Sequence, residues 1–144
     1  NGSNNSGGSS TGGGSGNGGP GHRVPPSSPG ASGAVAAALS QVGVPYIKFM
    51  SQPGVGFDCS GLTAWAWGRA GVSLPHYSKA QFEQTRRIDP SDAQPGDLLF
   101  FYRPISHVGM YIGGGRMVDA SHPGKPVSVH GFNWAQVVGV SRPG

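Results

Sequence analysis

Residues 1–30 hold eleven glycines and seven serines and almost no bulky apolar side chain. No other feature constrains the fold as strongly. Ordering a backbone costs about 1–2 kcal/mol per residue, and a segment with so little to bury cannot offset that. Residues 1–30 are therefore expected to be a Gly/Ser/Asn/Pro-rich flexible tail or linker. Apolar runs begin near Ala31 and persist to the end, so residues 31–144 are expected to form one domain with one core. No run approaches 18 consecutive apolar residues, and no membrane-spanning helix is expected. There is neither an initiator Met nor a signal-peptide pattern, as in a mature or excised piece of a longer product.

Helical signals come first. Gly33 to Val42 reads GAVAAALSQV, an Ala-rich helix stopped by Gly43. Val44-Pro45-Tyr46 leaves in extended form, because a residue before proline avoids the helical region. Pro53, Gly54 and Gly56 mark residues 47–57 as an irregular loop. From Cys59 to Ala70 the sequence is CSGLTAWAWGRA, with Leu62, Trp65, Ala66 and Arg69-Ala70 at helical spacing and Gly71 at the stop. Asp58 or Ser60 can cap its start. A shorter helix is expected over Ser78 to Thr85.

The second half is strand-like. Residues 97–102, 107–112, 116–120, 126–130 and 137–141 are short, rich in β-formers and separated by Gly, Pro or Ser. Gly113-Gly114-Gly115 reads as a hairpin turn. Helices followed by a run of strands indicate an α+β fold with a largely antiparallel sheet.

The one cysteine excludes an internal disulfide and any zinc site built from several thiolates. Cys59 stands at a loop-to-helix junction, Gly56-Phe57-Asp58-Cys59-Ser60-Gly61. Unpaired N–H groups and partial positive charge at a helix start favour a thiolate nucleophile and can hold an oxyanion. Glycine at 61 allows close approach of substrate or backbone. The plainer alternative is a structural thiol in the first turn. A nucleophilic cysteine needs a base, usually histidine, oriented by a third group. Of five histidines, His22 lies in the tail, His76 precedes the short helix, His122 sits in a Ser-His-Pro-Gly turn and His130 ends a late strand. His107 opens a strand, where its ring can project toward a helix packed on the sheet. With the triple glycine as turn, Asp119 is expected opposite His107, within reach to orient the imidazole.

These residues resemble the NlpC/P60 family. The matching pieces are Val44-Pro45-Tyr46, Phe57-Asp58-Cys59-Ser60-Gly61, Leu74-Pro75, Pro95-Gly96-Asp97-Leu98-Leu99-Phe100-Phe101 and His107-Val108-Gly109-Met110-Tyr111-Ile112-Gly113. They span residues 33–142, and the nearest likeness is to the mycobacterial Rip group. The resemblance implies a papain-like fold, with helices packed on a mostly antiparallel sheet of five to six strands. It implies cleavage of peptidoglycan stem peptides beside D-glutamate and diaminopimelate, at a secreted or cell-envelope location. Carried over, it implies Cys59 as nucleophile and His107 as base, with Asp119 at the third polar position. Tyr46 would line the site and help the oxyanion. Asp58 and Ser60 would contact substrate, with His76 and Ser78 on the groove rim.

The family follows its tyrosine with Trp-Gly-Gly. Here Ile47-Lys48-Phe49-Met50 follows Tyr46, and Phe49 and Met50 are expected to alter the backbone path or narrow the groove beside Tyr46. Some members only bind the wall, so a peptidoglycan-binding domain with weak or absent hydrolysis is expected, with an active cysteine endopeptidase as the alternative. The net charge of +4 and pI near 9.6 suit an anionic wall polymer. Nucleic acid is not expected, since Arg86-Arg87 is the only adjacent basic pair and no aromatics interleave with basic residues. Neither metal nor cofactor is expected, and the chain is expected to be a monomer.

Overall fold

The computed structural model describes residues 29–144; the expected tail lies outside the described residues apart from the turn at 29–30. The chain order is α1 (Ala31–Leu39), β1 (Ser51–Gln52), β2 (Gly56–Phe57), α2 (Cys59–Arg69), α3 (Ser78–Gln84), β3 (Arg86–Arg87), β4 (Leu98–Phe101), β5 (His107–Gly113), β6 (Arg116–Asp119), β7 (Ser128–Gly131) and β8 (Val137–Arg142). Six strands form one antiparallel sheet in the order β3-β8-β4-β5-β6-β7. The expected α+β architecture is thus what the chain adopts. No helix among the described residues is long and apolar enough to cross a membrane.

β4 explains the run Leu98-Leu-Phe-Phe101: all four residues are buried, because this strand is covered on both faces. Leu98 and Phe100 join Val108, Met110 and Val118 against α1 and α2. Leu99 and Phe101 join Ile88, Met117 and Val140 on the other side. There Tyr111, Phe132 and Trp134 stack edge-on, with centroids 4.8–6.0 Å apart.

α2 is the central helix. Asp58 caps it by accepting a 2.8 Å hydrogen bond from the Gly61 amide. At the far end Val72 N–H donates to Trp67 O (2.9 Å) and Gly71 N–H to Gly68 O (3.1 Å), with Gly71 at φ 90°. This is a Schellman stop, and only glycine takes that φ without strain. Trp67, fully buried, donates from Nε1 to Gly96 O at 3.1 Å. The bond ties α2 to the Pro95-Gly96-Asp97 turn.

That turn is structural. A Cβ on Gly96 would meet Ala31 at 3.0 Å. Asp97 is held by Arg142 through two 2.8 Å hydrogen bonds, both side chains almost fully buried. Two-point pairing of this kind fixes geometry as well as charge.

Several boundaries move. α1 begins two residues before the expected start and ends at Leu39, where turns carry the chain to Gly43 at φ 95°. The expected 47–57 loop contains a two-stranded ladder, Ser51 opposite Phe57 and Gln52 opposite Gly56. Arg86-Arg87 pairs with β8 as an edge strand.

Candidate active site

Cys59 is the first residue of α2 and is half-buried; Asp58 before it is the cap. Asp58 is engaged on both oxygens. Oδ1 accepts from Gly61 N–H and faces His76 Nε2 at 2.6 Å, while Oδ2 accepts from Phe49 N–H at 2.8 Å. A Cβ on Gly61 would lie 2.3 Å from Met50 O, 2.7 Å from Asp58 Oδ1 and 2.9 Å from His76 Nε2. The glycine of Asp-Cys-Ser-Gly therefore lets the 47–50 segment lie against the helix start, the close backbone approach expected at this position.

His107 opens β5 and its ring faces both partners. Nε2 lies 2.8 Å from Asp119 Oδ2, and the ring is also coupled to the Cys59 thiol. Burial of the imidazole works to lower its pKa. The hydrogen bonds to Asp119 and Cys59, with the charges behind them, outweigh burial and raise it to about 9. For Asp119, burial pushes the pKa up, but the hydrogen bond and charge of His107, then those of His130, bring it below the ordinary value. Tyr46 is half-buried and has a raised pKa, first from burial and then from the negative charges of Cys59 and Asp58.

The expected register needs correction. Met110 pairs with Val118 and Tyr111 with Met117, with an irregularity before Gly113. In that register Asp119 lies beside Gly109 instead of opposite His107, and its carboxylate reaches the imidazole diagonally. A Cβ on Gly109 would sit 3.3 Å from Asp119 Cβ and 2.9 Å from Met117 Sδ, so the glycine of His-Val-Gly leaves room for Asp119.

Cys59, His107, Asp119 and Tyr46 are brought together, with Asp58 and His76 beside them. Ser60 and Ser78 are not placed as expected. Ser60 is only 6% exposed and Ser78 only 5%, too buried in their helix starts to take substrate or form a rim. Asp58, with both oxygens committed, acts as a clamp between α2, His76 and residue 49. Phe49 does not fill the groove: its ring is 80% exposed, its backbone has φ 66°, and Lys48 Nζ lies 5.1 Å from the ring centroid. His122 sits in its turn, bridged to Lys125.

The sequence reading missed His130. It lies on β7 across from Met117, and its Nε2 stands 2.7 Å from Asp119 Oδ1. Strand alternation on β7 was the available signal. Among the described residues, no group of three or more His, Cys, Asp or Glu is arranged to hold a metal.

This α+β fold sets a half-buried cysteine at a helix start and a histidine–carboxylate pair at the start of a sheet strand, the arrangement of a papain-like fold. The sequence model of the NlpC/P60 family matches residues 38–138, and the chain belongs to that family. A probable endopeptidase of Mycobacterium tuberculosis is 53% identical over 95 residues, which is 66% of this chain and 24% of that protein. Probable endopeptidase p60 of Listeria grayi is 42% identical over 120 residues, 81% of this chain and 23% of that protein. The chain thus spans about a quarter of the length of the curated relatives it matches. Among solved structures, the peptidoglycan hydrolase RipB from M. tuberculosis superposes with a TM-score of 0.70 at 33% identity, covering 78% of this chain and 64% of that one. An NlpC/P60 family protein from Bacillus cereus gives 0.73 at 29% identity, covering 83% and 41%.

Proposed function

We propose that the chain is a cysteine endopeptidase of the bacterial cell envelope, cleaving peptidoglycan stem peptides at a D-glutamate–diaminopimelate type of bond. One observation carries the proposal: His107 is hydrogen-bonded to Cys59 on one side and to the buried Asp119 on the other. A purely wall-binding groove has no use for that pairing. The endopeptidase names of relatives and the peptidoglycan hydrolase structure support the substrate class.

The chemistry follows from the geometry. Cys59 Sγ attacks the scissile carbonyl carbon while the first-turn amides of α2 and the Tyr46 phenol stand by the developing oxyanion. His107 takes the Cys59 thiol proton as Sγ attacks and, as the C–N bond breaks, gives that proton to the departing amine, leaving a thioester on Cys59. His107 then takes a proton from water, the hydroxide attacks the thioester, and the proton returns to Sγ as the C–S bond breaks. Asp119 holds the ring through both half-reactions.

Wall binding with little turnover is the second reading: Phe49, where the family has glycine, leaves an exposed apolar side chain beside the Asp58 clamp for a wall fragment to rest on. Digestion of purified stem peptides, with the new termini identified by mass spectrometry, separates the readings. The proposal expects a new D-glutamate carboxyl terminus and a new diaminopimelate amine. Binding without new termini would establish the second reading.

A further inference from the structure

We propose that His130 is a positioning residue for this site: it pins the far oxygen of Asp119 so that the near oxygen stays on His107. Its effect on rate rests on the endopeptidase reading; its geometry does not. The Asp119 side chain is 2% exposed, and each of its oxygens faces one imidazole nitrogen, Oδ2 at 2.8 Å from His107 and Oδ1 at 2.7 Å from His130.

The second contact decides how well the first is kept. The outer torsion of an aspartate is broad and roughly two-fold, so a carboxylate held at one oxygen swings with little resistance. Two anchors, from strands on either side of β6, fix its plane. β7 supplies the second by register: Ser128 lies opposite Asp119 and His130 opposite Met117, which puts His130 diagonal to Asp119 on the same sheet face. The His130 ring is itself held, with Nδ1 2.9 Å from Gly131 O. Asp119 needs this support because it approaches His107 diagonally with a short side chain. Loss of the His130 donor would also leave Oδ1 buried without that partner, a penalty the carboxylate can relieve only by turning away from His107.

The test uses the full chain with His130→Phe, which keeps a ring without a donor, and His130→Gln, whose amide N–H reaches about where Nε2 stands. Two rates are measured at neutral pH on folded protein: stem-peptide hydrolysis, split into kcat and KM, and alkylation of Cys59, the sole cysteine, by iodoacetamide. His130→Phe should lower kcat by roughly 10- to 100-fold, as expected for misplacement approaching 1 Å, with KM nearly unchanged. Alkylation should slow several-fold, and His130→Gln should recover most of both. Wild-type rates in His130→Phe, or equal impairment of the two variants, would overturn the proposal. If the wild-type chain cleaves no stem peptide, the endopeptidase reading fails, and alkylation alone decides the role of His130.

Discussion

Adding one methyl group at two places in α2 should have opposite consequences. At Gly68, an exposed position, a Cβ meets nothing within 4 Å. Alanine there should stabilise the protein by about 0.8–1 kcal/mol through helix propensity alone. At Gly61 the same atom would stand 2.3 Å from the backbone oxygen of Met50. A carbon–oxygen contact relaxes to roughly 3.3 Å, so about 1 Å of movement is required. The 47–50 segment and the helix start must separate, at an overpacking cost of about 1–3 kcal/mol. Strain on the Asp58 cap adds about 1 kcal/mol, and propensity returns at most about 1 kcal/mol. Gly61→Ala should therefore be destabilised by about 1–3 kcal/mol, and Tm should fall by roughly 4 °C for each kcal/mol. Cys59 lies two residues away, so hydrolysis should drop by up to about 100-fold. Thermal unfolding followed by circular dichroism and the stem-peptide assay measure both effects. A Gly61→Ala protein as stable and as active as the parent would refute the close approach at the helix start.

Three further outcomes follow from named contacts. His107 has an ordinary value of 6.5 raised to about 9, so its contribution to stability should be complete below about pH 6.5 and vanish as pH rises through about 9. The lowered Asp119 value acts in the opposite direction, present above about pH 4 and lost as pH falls through the folded value; the Tm difference between wild type and His107→Ala across pH checks both. Asp97→Asn takes the carboxylate charge out of its two-point pair with the buried Arg142 and should cost about 1.5–3 kcal/mol in urea unfolding, with unchanged activity per folded molecule. Phe49→Gly should raise stability slightly, by at most about 1 kcal/mol, because relief of left-handed strain exceeds the loss from an 80% exposed ring; a clear fall in the urea midpoint would contradict that.

Much of this arrangement was legible in the sequence because its signals are local. Asp58, Cys59 and Gly71 mark both ends of α2 by capping chemistry alone, and the glycine-separated strands announce an antiparallel meander. What escaped depends on contacts distant in sequence. The two-residue strands β1, β2 and β3 are too short to show periodicity, and their pairing rests on backbone hydrogen bonds. The β5–β6 register depends on how the triple glycine divides between turn and strand, which pattern counting does not detect. Asp58 and Ser60, adjacent to the cysteine, read as substrate contacts; one is a clamp and the other is buried. His130 became visible only once β7 was placed beside β6. Trp67, the largest fully buried side chain, reads in sequence like its neighbour Trp65, and only the Gly96 carbonyl distinguishes them.

The most direct test of the central claim compares wild type with Cys59→Ala on purified sacculi, scoring sedimented protein and released fragments in the same tubes. Binding should draw on groove shape, Tyr46 and net positive charge, and so should survive loss of the thiol, while fragment release requires it. The prediction is equal sedimentation of the two proteins, with fragments released by wild type alone. Equal release by both proteins, or none by wild type, would contradict the account.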